Sequence, residues 1–192
     1  MPPLEIVQAG SPVLRAKARS LTPDEIRGAP IQQLIELMRE TMLAAPGVGL
    51  AAPQIGQPLR LAVIEDQVTR DETERAPVPF HVIVNPELRF RGQPAPRLVD
   101  FFEGCLSVDG YQAIVPRARE VTVSALDHRG EAITIDASGW YARILQHEID
   151  HLNGVLYIDR MHTRTFSSGD TLGTHWAGQS PAEILAALGP SI

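Results

Sequence analysis

Six residues, Gln146-His147-Glu148-Ile149-Asp150-His151, constrain this chain more than any other stretch. They contain His-Glu-x-x-His. Two imidazoles four positions apart stand one above the other only on a helix, so the spacing predicts a helix here. Both rings then reach one metal ion, with Glu148 beside it and free to move a proton. A carboxylate next to metal-activated water is the usual arrangement for hydrolysis. The bland alternative is a charged, solvated helix face. Against it, Ile144, His147, Glu148 and His151 follow an i, i+3, i+4, i+7 stripe flanked by Leu145 and Leu152. The polar groups thus point with an apolar residue that favours burial. Buried imidazoles and a buried carboxylate need partners, and a metal supplies one.

The 192 residues fit a single catalytic domain, 1–192, with a polar C-terminal tail from about 160 to 192. Hydrophobic residues make up 44% and charged residues 21%, the balance of an ordinary soluble globular chain. A net charge of −6 argues against broad nucleic-acid binding. No apolar run approaches membrane-spanning length. Met1-Pro2-Pro3-Leu4-Glu5 has neither a basic n-region nor an apolar h-region. The reading is a cytosolic protein, or an organellar one already trimmed. The lone cysteine, Cys105, excludes an internal disulfide.

Along the chain, Leu4 to Gln8 reads as extended, Pro12 to Arg15 as a helical turn, and Ser20 to Pro23 as loop. Ile31 to Ala45 is a helix with Ile31, Leu34, Ile35, Met38 and Met42 on one face. Gly47-Val48-Gly49-Leu50-Ala51-Ala52-Pro53-Gln54-Ile55-Gly56 follows, where small residues let a backbone or a ligand approach closely. A plain tight loop explains this stretch too. It is not a phosphate loop, since the lysine and hydroxyl residue of that motif are missing. Leu59 to Glu65 reads as a strand and Asp66 to Phe80 as an exposed insertion. His81 to Val84 and Glu87 to Phe90 read as two strands joined at Asn85-Pro86. Leu98 to Phe102 is extended and leads into Glu103-Gly104-Cys105-Leu106-Ser107. A hairpin pairs Glu120–Leu126 with Glu131–Ala137. The metal-binding helix starts near Ser138 and ends by Asn153-Gly154. Val155 to Ile158 reads as a short strand, then a polar irregular stretch. The capping box Ser180-Pro181-Ala182-Glu183 opens a last helix, Pro181 to Leu188. The class is α+β, with small mixed or antiparallel sheets around a central metal-binding helix.

A hydrolytic site needs a third ligand and an open position. In some metalloproteases a histidine six residues after the second one supplies it, but Tyr157 stands there. His81, His128, His162, His175, Cys105 and carboxylates remain. Histidines in a hairpin turn or polar tail favour exposure. Cys105 follows an apolar extended segment, and its thiolate binds divalent ions tightly.

Three stretches together resemble the peptide deformylase family: Gly47-Val48-Gly49-Leu50-Ala51-Ala52-Pro53-Gln54, Glu103-Gly104-Cys105-Leu106-Ser107, and Gln146-His147-Glu148-Ile149-Asp150-His151. Each is weak alone, and the ordered set is highly specific. The similarity runs from about Leu4 to Arg160. The segment from Ile158 to Phe166 resembles the branch with mitochondrial members, whereas Leu106 matches the common bacterial form.

The resemblance implies removal of the formyl group from the N-terminal formyl-methionine of new proteins, with release of formate. It implies Cys105, His147 and His151 as metal ligands and Glu148 as the acid–base group. It assigns the developing oxyanion to the Gln54 side-chain amide and the Leu106 backbone N–H. Gly49 would bond the peptide as an added strand, and Ile144 would wall an apolar slot for the methionine side chain. The implied cofactor is one divalent ion, Fe²⁺ in the cell, with Zn²⁺, Ni²⁺ or Co²⁺ able to substitute. The implied partners are N-formylmethionyl peptides and nascent chains, including those at the ribosome. No membrane and no sequence-specific nucleic acid is implied. Two other readings share the motif: a general metallopeptidase, and a non-catalytic metal-stabilised interaction module. The second predicts four protein ligands and no use for Glu148.

Overall fold

The structure, a computed structural model, describes residues 3–68, 75–92 and 94–189. The fold is α+β, with two antiparallel sheets around one central helix. That helix, α3 (Gly139–Leu152), carries the His-Glu-x-x-His stretch. The first sheet has the order β1-β2-β3-β6-β7, from Gly49–Ala51, Leu61–Asp66, Val78–Phe90, Glu120–Leu126 and Ala132–Ser138. The second joins β4 (Leu98–Cys105), β5 (Val108–Ala118) and the two-residue β8 (Ser167–Ser168). The remaining helices are α1 (Pro23–Arg27), α2 (Ala29–Ala44), α4 (Gly169–His175) and α5 (Pro181–Leu188).

Strand β2 shows how the first sheet is covered. Alternate side chains leave opposite faces of a strand. Ala62 and Ile64 pack with Ala142, Leu145, Ile149 and Leu152 of α3, while Leu61 and Val63 pack with Ile35, Met38 and Met42 of α2. All six β2 residues are buried as a result. Burying one such leucine or isoleucine contributes about 1.5–3 kcal/mol, so the sheet holds both helices through its own alternation. Gln146 adds a polar tie. It accepts from the Ala118 N–H at 3.0 Å and donates to the Ala118 carbonyl at 2.8 Å, as a neighbouring strand would.

The expected elements are recovered in α2, the β6–β7 hairpin, α3 and α5, whose Ser180–Glu183 capping box forms. Ser138 does stand at the N-cap of α3, although its hydroxyl makes no capping bond. Four readings need correction. His81–Val84 and Glu87–Phe90 are one strand, β3, which absorbs Asn85-Pro86 as an irregularity in its pairing with β6. Asn85 takes φ +52 there and bonds the Leu21 backbone in both directions. Val155–Ile158 is not a strand. Leu156 and Tyr157 are buried singly, and the chain turns into a 3₁₀ helix at Tyr157–Asp159. Asp66 and Val78–Phe80 belong to strands, and residues 69–74 of the expected insertion lie outside the described set. The tail is more ordered than its composition suggests: β8 pairs with Tyr111 and Gln112, and Ile184 of α5 is buried.

Candidate metal centre

Cys105 ends β4, where a register shift after Gly104 brings it opposite Val108. Its Sγ lies 3.3 Å from His151 Nε2, and the ligand atoms of Cys105, His147 and His151 all fall within 4.8 Å of one another. The two rings meet edge to face with centroids 4.9 Å apart, the outcome of i, i+4 spacing on α3. A sulfur from mid-chain thus meets two imidazoles from α3. This donor set of one thiolate and two imidazoles suits a divalent transition ion.

Glu103 stands two residues before Cys105. His147 Nδ1 bonds Glu103 Oε2 at 3.0 Å, which leaves Nε2 of that ring for the centre. Glu103 also takes Arg117 through Nε at 2.9 Å and Nη2 at 3.0 Å, and Arg143 through Nη1 at 2.7 Å. Burial opposes ionisation of Glu103, but the bonds from His147 and Arg117 overcome it and hold the carboxyl far below the usual range. Arg117 Nη1 in turn donates to Asp150 on α3, which Arg160 also binds at 2.6 and 2.7 Å. An arginine with buried carboxylates on either side is fully compensated.

Glu148 is the odd carboxylate. It is buried, its pKa is pushed up to about 7 by that burial, and its Oε2 has no hydrogen-bond partner among the described residues. A buried, unpartnered oxygen facing a cavity calls for a proton or a bound molecule there. Gly49 of β1 is its seat: a Cβ on Gly49 would stand 2.2 Å from Glu148 Oε1. The missing side chain therefore makes room for Glu148, a reason the sequence alone does not offer.

The cavity in front of these groups measures about 460 Å³. Gly49, Gln54, Leu106, Ile144, His147 and Glu148 all line it, beside Cys105. Gln54 is buried. Its Oε1 accepts from the Ala51 N–H at 2.9 Å, while Nε2 points to Cys105 Sγ at 3.6 Å and Ser107 Oγ at 3.4 Å. The Leu106 side chain reaches across toward Gly47. Of the residues singled out in the sequence, only His151 does not line this cavity, and it meets Cys105 Sγ, which does. The other histidines are elsewhere: His81 bonds Tyr141 at 2.9 Å, His162 bonds Asp100 at 2.8 Å, and His128 and His175 are exposed. His162 is half-buried rather than exposed, because that bond draws it onto β4. Sequence reasoning missed Arg75, Trp140 and Arg143 as lining residues, and Glu103 as the hub. Only Glu103 carried a signal, its i, i+2 relation to Cys105 on a strand.

Three donor atoms that could hold one ion, beside a buried carboxylate and a cavity, fit a hydrolytic metal centre of the His-Glu-x-x-His class. Comparison with known proteins narrows that class. Residues 3–166 match the family model described as polypeptide deformylase. Peptide deformylase 3 of Streptomyces avermitilis is 46% identical over 194 residues, covering 97% of this chain and 84% of that protein. The chloroplastic peptide deformylase 1A of Solanum lycopersicum is 48% identical over 92% of this chain, which spans 66% of that protein's length. Among solved structures, the Met-Ala-Ser-bound class I type b peptide deformylase from Acinetobacter baumannii superposes with a TM-score of 0.76 at 33% identity. That match covers 83% of this chain and 98% of the other. The chain belongs to the polypeptide deformylase family, and it is an enzyme.

Proposed function

We propose that this chain hydrolyses the bond between the formyl carbon and the methionine nitrogen of N-formylmethionyl peptides and nascent chains, releasing formate. The observation that carries the reading is the meeting of Cys105 Sγ and His151 Nε2 at 3.3 Å, with Glu148 at the same cavity. Cys105, His147 and His151 would hold one divalent ion. When bound, that ion supplies Lewis acidity, which activates water and polarises the formyl oxygen.

The rest of the chemistry belongs to the chain. Glu148, uncharged below about pH 7 without an ion, would be ionised beside a cation and take a proton from the attacking water. As the carbon–nitrogen bond breaks, Glu148 returns that proton to the departing nitrogen. The Gln54 amide and the Leu106 N–H would receive the charge that develops on the formyl oxygen. Gln54 is preorganised for this, since the Ala51 N–H fixes its carbonyl end and turns its NH₂ toward the sulfur. Strand β1 lies at the edge of its sheet, so peptide binding alongside Gly49 would extend the sheet by one strand. Ile144, on the same wall as His147, offers the methionine side chain an apolar contact.

The thiolate–imidazole set favours Fe²⁺, Zn²⁺, Ni²⁺ or Co²⁺, and Fe²⁺ is the ion we propose in the cell. Anaerobic purification with metal analysis checks it. The bacterial cytoplasm is the compartment we propose, with an organellar matrix as the alternative, since the relatives include bacterial and chloroplastic deformylases. We also propose that 1–192 acts as one catalytic unit. Glu148→Gln tests the mechanism. Turnover of formyl-Met-Ala-Ser should fall by about 10²–10⁴-fold with metal content retained, the loss of one acid–base group. Unchanged turnover would exclude the mechanism, and preferential cleavage of an internal peptide bond would favour a general metallopeptidase.

A further inference from the structure

One buried carboxylate that bonds two residues of the cavity wall is not used by the chemistry above. Asp66 ends β2, and its side chain is 1% exposed. Its Oδ2 accepts from Arg75 Nε at 2.7 Å and from Trp140 Nε1 at 3.0 Å. Its Oδ1 accepts from Arg75 Nη2 at 2.8 Å and from the Val68 N–H at 3.0 Å. Arg75 and Trp140 both line the cavity, and the guanidinium lies 5.1 Å from the indole centroid. The indole meets Phe101 edge to face at 5.7 Å, and the Arg143 guanidinium lies 5.9 Å from the Phe101 ring centroid. Arg75, Trp140, Phe101 and Arg143 thus form a continuous pile of two cations and two aromatic rings, all but Phe101 lining the cavity, with Asp66 bonded to Arg75 and Trp140.

Trp140 needs such a hold. It stands in the first turn of α3, directly after Gly139 at φ +58, and is only partly buried. Packing alone leaves a large ring at a helix start free to change rotamer. A carboxylate that bonds the indole N–H and takes one edge of a guanidinium through Nε and Nη2 fixes the ring in plane and in depth. A buried ion pair is a poor way to gain stability, so its value here lies in geometry.

We propose that Asp66 and Arg75 are positioning residues that set the side-chain selectivity of the cavity. By fixing Trp140, they shape the wall for a long unbranched side chain and against a branched one. This rests on the preceding reading that a formyl-methionyl peptide occupies the cavity.

The test compares kcat/KM for formyl-Met-Ala-Ser and formyl-Leu-Ala-Ser in the metal-loaded protein, Asp66→Asn and Arg75→Met. The ratio of methionine to leucine should fall about tenfold in both variants, mostly through KM, the discrimination that about one methylene carries in an apolar pocket. Tryptophan emission isolates the ring itself. The chain has two tryptophans, so a Trp176→Phe background reports Trp140 alone. Its emission should shift to the red and become more quenchable by acrylamide in both variants. If Asp66→Asn does not fold, Arg75→Met alone decides. An unchanged ratio with unchanged Trp140 emission in a folded variant overturns the proposal. A wild-type protein with no turnover of either substrate would overturn the deformylase reading instead.

Discussion

Consider alanine at Gly49. The residue sits in β1 with ordinary extended backbone, so alanine meets no conformational barrier there. The obstacle is Glu148: the new methyl would stand 2.2 Å from Oε1, 2.6 Å from Cδ and 2.9 Å from Cγ. Ordinary contact between such atoms begins near 3.5 Å, so the carboxylate must retreat by about 1 Å. A displacement of about 1 Å in a reacting group can cost about 10²-fold in rate. Folding should suffer less. The methyl narrows the unfolded ensemble by about 0.4–1 kcal/mol, which offsets part of a strain of about 1–3 kcal/mol. The expected outcome is therefore a protein that folds, binds its ion and loses about 10²-fold in kcat on formyl-Met-Ala-Ser. The assay is steady-state formate release beside metal analysis and a urea titration. Full kcat in Gly49→Ala would refute the claim that this glycine seats the acid–base carboxylate.

Four further outcomes follow from other contacts. Glu103→Gln leaves Arg117 and Arg143 short of a buried counter-charge, and should cost about 3–5 kcal/mol in urea unfolding. The same variant should release its ion about 10–100-fold more readily, measured by chelator competition, because His147 loses its orienting partner. Since Glu103 is held below its unfolded pKa, its stabilisation is complete above about pH 5 and is lost progressively as pH falls through the folded value. Urea midpoints of wild type should therefore drop on acidification below about pH 5, and the Gln variant should show a shallower drop. Gly154→Ala should destabilise by at least about 2 kcal/mol in thermal or urea unfolding, because Gly154 has φ +76 and a Cβ would stand 2.6 Å from the Arg15 carbonyl oxygen.

The parts of the molecule legible in the sequence are those set by local rules. Helix α3 announces itself by four-residue spacing, and α5 by Ser180 and Glu183 around Pro181. The illegible parts depend on partners from elsewhere. Strand β5 has no clear strand pattern, since Pro116 argues against a strand interior and Arg117 is buried only where Glu103 and Asp150 come to meet it. Helix α1 has five residues, too few to show a period, and rests on the capping pair Thr22 and Glu25. The run Val155–Ile158 is apolar because Leu156 and Tyr157 enter the core, and four such residues do not distinguish strand from turn. At the site, the proposed ligand residues could be named from their motifs. Asp66, Arg75 and Trp140 could not, since no local pattern joins a strand end, a loop and a helix start 74 positions apart.

The double bond between Gln146 and Ala118 has a mechanical consequence. It sits one residue before His147 and ties the helix to β5 by two bonds of main-chain strength. The pair of rings therefore cannot slide along the helix axis without unzipping that weld. Ions that differ in preferred bond length must be accommodated by side-chain torsions and by the sulfur's own strand end. Helix α3 is thus a stiff mount, and adjustment to a bound ion would fall to those torsions and that strand end.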